Sequence, residues 1–370
     1  MPEKGPGAEP EDQHSDLVRR TTDYIARIQL PSGAIPWFDG GIIDPWDHVE
    51  SAMGLSVGGH LEGAVAAYRW LAEKQHADGY WLAAYEDERI ADGTRAETNF
   101  VAYVAPGVWH HYLVTGDLEF LRALWPTVRR ALDFVLSLQA PSGEVYWALD
   151  TRTGINKDAL VTGSSSIYRS LDCGMAIAQV LEAPYAHWHV ARDRLGVALR
   201  ERPERFDRTW PSKARYSMDW FYPILAGAIT GGDAVARLDA RWDEFMVPDH
   251  GCRCVSDQPW VTIAESCELV MACAAAGELN RAHALFELLR RYQAEDGSWW
   301  TGYVFTDEVM WPDERPTWTA GAILLAADTL QGLTGAATLF TQPEHHAPLE
   351  TLETLERAER TNGRQRLEQP

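Results

Sequence analysis

A chain of 370 residues, 46% apolar and 24% charged, has the composition of a soluble globular protein long enough for two average domains or one large repetitive one. Its formal net charge of −21 disfavours nucleic acid and anionic membrane surfaces, so a neutral or cationic ligand is the compatible partner. No apolar run, that of residues 321–327 included, is long enough for a membrane span, and five cysteines without framework spacing suit a reducing cytoplasm.

Residues 1–14 are acidic and rich in Pro and Gly, with neither a basic nor an apolar segment, and they read as a disordered leader. From residue 15 two kinds of helical run alternate. Amphipathic runs are expected at 15–29, 61–75, 117–139, 184–202, 233–245 and 279–293. Between them, at 47–58, 97–114, 163–183, 215–230, 260–276 and 316–331, the pattern is apolar on most sides and rich in Ala and Gly, as expected of buried helices that approach closely.

Four amphipathic runs end in the same punctuation: Gln29-Leu-Pro-Ser-Gly33, Gln75-His-Ala-Asp-Gly79, Gln139-Ala-Pro-Ser-Gly143 and Gln293-Ala-Glu-Asp-Gly297. Gly after Ser or Asp is turn chemistry just past a helix end. The wide third gap leaves room for two decayed copies, near 202–211 and 246–258. Outer amphipathic helices alternating with inner apolar ones predict an all-α single domain over 15–340, an (α/α)6 toroid of six helical hairpins sharing one core. Residues 341–370 read as a polar extension, partly helical or disordered.

Inner-to-outer links are short and outer-to-inner links long, and long ordered links are usually functional. The long links, with the helix starts they lead into, hold most of the tryptophans: 37, 46, 81, 147, 210, 299, 300 and 311, with 220, 260 and 318 just inside the next helix. They also hold carboxylates, including Asp44, Asp47, Glu50, Glu86 to Glu88, Glu97, Asp158, Asp219, Glu265 and Glu268. Acids among indoles suit a neutral polyhydroxylated ligand, because aromatic faces stack on sugar C–H faces and carboxylates accept hydroxyl hydrogen bonds.

Glycosidic hydrolysis needs one protonated carboxyl and one carboxylate flanking the bond. Asp47 and Glu265 form the candidate pair, Asp47 as base and Glu265 as acid or the reverse, with Glu268 as the alternative to Glu265. Asp44-x-x-Asp47, Thr262-x-x-Glu265 and Thr94-x-x-Glu97 also resemble capping boxes, which would give these acids a structural role. Pro259 argues against this for Glu265, which is expected about two turns into its helix. Candidate substrate contacts are Trp37, Asp44, Trp46, His48, Glu50, Trp81, Glu97, Trp147, Asp219, Trp260, Glu268, Trp299, Trp300 and Trp318. For His48 a capping or packing role is favoured over substrate binding. Ser164 to Ser166 either offer hydroxyls to the cleft or simply start a helix. Cys252 and Cys254 match no zinc spacing, so neither metal nor cofactor is expected.

The Gln-x-x-(Ser/Asp)-Gly units with following aromatics resemble the QW-type repeats of squalene–hopene cyclases and prenyltransferase β-subunits. That resemblance implies a helical-hairpin toroid. The cyclase Asp-x-Asp-Asp cluster and the prenyltransferase zinc set have no counterpart here. Residues 35–41 (Ile-Pro-Trp-Phe-Asp-Gly-Gly), 219–223 and 315–319 resemble six-hairpin glycosidases. Over nearly its whole length the chain looks like the actinobacterial methylmannose-polysaccharide hydrolases. This implies an endo-acting glycoside hydrolase that cleaves internal α-1,4-mannosidic bonds of a cytosolic oligosaccharide, inverting by analogy with other helical toroids. The rival readings are an isoprenoid cyclase or prenyltransferase-like protein, and a sugar epimerase or sugar-binding protein on the same scaffold.

Overall fold

The computed structural model describes residues 10–87 and 89–342, so the first part of the leader, Glu88 and nearly all of the tail lie outside the described residues. The helices run in order α1 (Pro10–Ile28), α2 (Pro45–Val57), α3 (Leu61–Lys74), α4 (Thr98–Ala102), α5 (Val104–Thr115), α6 (Leu118–Ser137) and α7 (Val161–Val180). After these come α8 (Ala186–Glu201), α9 (Ser217–Leu225), α10 (Gly231–Phe245), α11 (Ile263–Ala275), α12 (Leu279–Leu289) and α13 (Thr317–Gln331). Helix α1 begins at Pro10 and so overlaps the end of the segment expected as leader.

The apolar runs are the inner helices. Helix α2 packs on α5, α5 on α7, α7 on α9, α9 on α11, α11 on α13, and α13 back on α2. Helix α7 shows why they sit inside, since it is buried on all sides from Gly163 to Ala178. Small residues permit the closest crossing: a Cβ on Gly321 of α13 would lie 2.7 Å from the Glu50 carbonyl oxygen of α2. The amphipathic helices α1, α3, α6, α8, α10 and α12 each lean on inner neighbours from outside.

The Gln-x-x-(Ser/Asp)-Gly turns join one outer helix to the next. The Gln29 side-chain amide donates to the carbonyls of Gly33 and of Gly63 in α3, both at 2.9 Å. Gln75 repeats this with Gly79 and Thr127 of α6, and Gln139 with Gly143 and Ala191 of α8. The last copy closes the circuit, Gln293 donating to Thr21 of α1 at 3.2 Å. The turn glycines all have positive φ, and a Cβ on Gly33, Gly79, Gly143 or Gly297 would lie 2.3–2.4 Å from a carbonyl oxygen of the next outer helix. Glycine is required there twice over, by conformation and by space.

The all-α expectation needs one correction. The long links fold into short antiparallel strands. Residues 84–86 pair with 89–92, and 246–247 with 251–252. A three-stranded sheet joins 95–97, 148–150 and 154–156, and a second joins 260–262, 302–304 and 309–310. Link backbone that doubles back must pair its amides and carbonyls somewhere, while strands of two to four residues are too short to show alternation in sequence. One consequence is that α11 starts at Ile263, after strand residues 260–262, instead of at 260. No helix among the described residues is long and apolar enough to cross a membrane.

Candidate active site

Each inner helix sends its first turn toward one mouth. Those turns line a cavity of about 270 Å³: Asp47 from α2, Asn99 and Phe100 from α4, Thr162 from α7, Met218 from α9, Glu265 from α11 and Trp318 from α13. Glu50, Glu268, Trp37, Trp46 and Ala264 complete the lining. The expected acid pair and the alternative Glu268 therefore share one space.

The two acid-bearing helix starts differ. At α2 the cap is Asp44, whose Oδ1 accepts the amides of Trp46 and Asp47 at 3.0 Å. Its Oδ2 accepts the Trp37 indole N–H at 2.7 Å. Asp44 is thus a buried anchor for a cavity indole and does not line the cavity, which corrects its placement as a substrate contact. Asp47, relieved of capping, stays half-buried in the cavity wall. At α11 the cap residue Thr262 makes no side-chain cap bond, and Glu265 lies in the first turn because the strand before it delays the helix. Its Oε2 is buried without a hydrogen-bond partner, so the capping-box reading fails at α11, whereas at α2 Asp44 does cap the helix.

Behind this pair the wall is aromatic and tightly bonded. Trp46 stacks on Tyr103 with centroids 4.2 Å apart, and its indole N–H donates to Glu50 Oε2 at 3.2 Å. The Tyr222 hydroxyl donates to Glu268 Oε1 at 2.5 Å. Trp37 meets Trp318 edge to face at 6.4 Å.

Asp47, Glu50 and Glu268 share one desolvated wall, where three like charges side by side are costly. Burial, then the neighbouring charges of Asp44, Glu50 and Glu268, lifts the Asp47 carboxyl well above the usual range. Burial raises Glu50 to about 8, and burial with the Glu50 charge raises Glu268 strongly. The wall is therefore a store of protons, and such perturbed groups cluster at functional sites.

No protein-family profile matches the sequence. The chain is 48% identical over 325 residues to the MMP endo-(1,4)-3-O-methyl-alpha-D-mannosidase of Mycolicibacterium hassiacum, covering 88% of this chain and 89% of that one. The chain belongs to this glycoside hydrolase family. Among solved structures, a wild-type glycosidase superposes with TM-score 0.69 at 17% identity, covering 89% of this chain and 100% of that one. The GH63 mannosylglycerate hydrolase from Thermus thermophilus gives 0.68 at 16% identity over 83% of this chain and 99% of its own. A D-mannose isomerase gives 0.67 at 10% over 88% and 98%, so the same helical scaffold also carries isomerase chemistry. The isoprenoid reading has no support in these likenesses.

Several residues expected to touch substrate lie outside the cavity wall of this glycoside hydrolase, and some of them are bonded into its fold. His48 is fully buried; its Nδ1 accepts the Ile35 amide at 3.1 Å while Nε2 donates to the Ala67 carbonyl at 3.0 Å. Trp81 and Trp299 are also fully buried, their indoles bonded to the Leu71 carbonyl and the Thr21 hydroxyl. Glu97, Trp147, Trp260 and Trp300 lie on the links outside the cavity wall. Asp219 is buried beside Met218, and burial together with the Asp207 charge raises it to about 6. Ser165 bonds back into its own helix, Ser166 lines a separate small void, and Thr162 reaches the cleft in their stead.

Sequence reasoning missed Asn99, Phe100, Thr162 and Met218. The signal that finds them is positional: all lie in the first turn of an inner helix, as Asp47 and Glu265 do. Tyr103 and Tyr222 gave none, because a tyrosine in an apolar helix reads as core. No group of His, Cys, Asp and Glu among the described residues could hold a metal ion.

Proposed function

We propose that this glycoside hydrolase is an (α/α)6 toroid that cleaves internal α-1,4 bonds of a neutral, 3-O-methylated mannan-type oligosaccharide by an acid/base carboxyl pair, with inversion. The observation that carries the mechanism is the convergence of Asp47 and Glu265 on one cavity walled by Trp37, Trp46 and Trp318. The inner helices touching in sequence and closing on themselves support the toroid. The relative's named substrate supports the bond and the sugar.

Asp47, kept protonated by its surroundings, is the general acid that hands its proton to the leaving glycosidic oxygen. Glu265 is the base, its unpartnered Oε2 accepting the hydrogen bond of the attacking water. This is the exchanged form of the assignment first expected. Glu50 and Glu268, bonded to Trp46 and Tyr222, keep the wall polar without adding charge. A net charge of −21 favours a neutral substrate over nucleic acid or a membrane surface, and five free thiols favour the cytoplasm.

The test is incubation with an α-1,4-linked 3-O-methylmannose oligosaccharide, followed by chain-length analysis and NMR of the newly released reducing end. Internal cleavage with an initial β anomer is the expected result. Trimming from one end only, an initial α anomer, or an altered monomer at unchanged length each overturn a named part of the proposal.

A further inference from the structure

The two three-stranded sheets on the long-link face are placed by the order of the inner helices. One sheet is built from the segments that lead into α4 and α7, the other from those that lead into α11 and α13. In the contact order α2, α4–α5, α7, α9, α11, α13 and back, these two junctions lie across the ring from each other. The acid-lined cavity lies between them, since it is made by the first turns of the same helices.

Each sheet carries a tryptophan pair at the same kind of site. Trp147 meets Trp210 edge to face at 5.5 Å and 84°; Trp260 meets Trp311 at 5.1 Å and 76°. Three of the four indole N–H groups are tied down within the protein: Trp147 to Glu97, Trp210 to Asp207 and Trp260 to the Trp311 carbonyl. Those bonds fix the ring planes; the Arg95 guanidinium lies 5.7 Å over the Trp147 ring and the Lys213 ammonium 5.7 Å over the Trp210 ring, so a ligand meets the indole surface that these neighbours leave open. Trp147, Trp210 and Trp260 are only partly buried, and Trp311 is 53% exposed. Large rigid indoles left half-open beside a catalytic cavity, on a strongly acidic protein, fit the C–H and O-methyl faces of an uncharged sugar chain.

We infer that the Trp147/Trp210 and Trp260/Trp311 pairs are the two distal platforms of one binding track, holding sugar residues on opposite sides of the bond cleaved between Asp47 and Glu265. The inference rests on the hydrolase reading above and adds how the chain is held. Two platforms across the ring make an internal bond the one presented to the acids. An end-acting enzyme needs only one.

The test uses full-length Trp210→Ala and Trp311→Ala, with Trp→Phe partners, on end-labelled 3-O-methylmannose oligosaccharides of increasing length. In the wild type kcat/KM should climb with length until a chain reaches both platforms. Each Ala variant should lose roughly tenfold of that climb, with the Phe variants recovering part. The two Ala variants should also shift the preferred cleavage position in opposite directions along the labelled chain. An equal loss at every length, or an unshifted cleavage pattern, overturns the platforms. If the wild type hydrolyses none of these chains, the hydrolase reading fails by itself. Fluorescence titration with the same oligosaccharides then decides the platforms: weaker binding by both Ala variants supports them, and unchanged affinity overturns them.

Discussion

The turn that ends each repeat and the first turn that opens each inner helix lie at opposite ends of the same links, yet they are built on opposite principles. In the repeat turns nearly every polar group has a partner and space is filled to contact: glutamine amides cap carbonyls, and glycine backbone lies against the next helix. In the cavity wall acids are crowded, lifted in pKa, and in the case of Glu265 Oε2 left without a partner. Good packing makes the first region a source of stability. Poor satisfaction makes the second a liability that only chemistry justifies.

If that contrast is right, substitutions in the wall should cost activity and leave stability intact. Asp47→Asn and Glu265→Gln should each lower kcat by about 10²–10⁴-fold with an unchanged melting curve. Under the roles proposed here, azide should rescue a Glu265→Ala variant, by standing in for the activated water, and should leave Asp47→Ala on natural substrate unrescued. Rescue of Asp47→Ala alone would reverse the two roles.

Glu50 sharpens the contrast through pH. Its folded pKa, near 8, lies above the ordinary carboxyl value, so the folded chain binds that proton more tightly than the unfolded chain. The associated stability is fully present below the unfolded pKa and is lost as pH rises through about 8. Glu50→Gln removes the ionisation. Relative to the wild type the variant should gain on the order of 3 kcal/mol between pH 5 and pH 8.5, read by denaturant unfolding at both values. A stability difference that does not change with pH would mean that Glu50 is already ionised in the fold.

The turns should behave in the opposite sense. Gly79→Val forces a side chain against the Arg130 carbonyl at positive φ and should cost on the order of 2–3 kcal/mol. Where the variant remains folded its kcat should be that of the wild type, because Gly79 is not part of the cavity wall. A large kcat loss in a folded Gly79→Val would break the separation between the two regions.

The same division explains what could be read from sequence. Helix identity was legible because an amphipathic run and an all-apolar run differ over a dozen residues, and the glutamine–glycine turn marks where one ends. The start of α11 was not, because Trp260-Val-Thr262 is as apolar as a helix start and only its pairing with residues 302–304 makes it a strand. For the site, acid placement at helix starts picked out Asp47, Glu50, Glu265 and Glu268. Trp81 and Trp299 looked like cleft residues from composition alone. Both follow an Asp-Gly turn at the same offset and both turn inward to bond an outer helix, so the repeat's tryptophan belongs to the fold. Asp44 and Asp47 are one helical turn apart and equivalent in pattern. Only the φ and ψ of Asp44, −110° and 160°, make it the cap and spare Asp47 that role.

The smallest effect tests whether the repeats are equivalent. Gln75 is the more heavily used glutamine: it donates to the Gly79 and Thr127 carbonyls, and its Oε1 accepts Arg130 Nε and Nη2 at 3.0 and 2.5 Å. Gln293, which closes the circuit onto α1, has the Thr21 hydroxyl at 3.2 Å as its side-chain partner. Gln75→Ala should therefore cost about 1–2 kcal/mol, mainly from the part-buried carbonyls left unpaired, and Gln293→Ala about half that. Equal costs would mean that closing the circuit carries cooperative weight beyond the bond itself, as expected if the outer helices are stable only as a complete ring. In that case the contrast between turn and cavity stands, while the repeats can no longer be treated as independent local clamps.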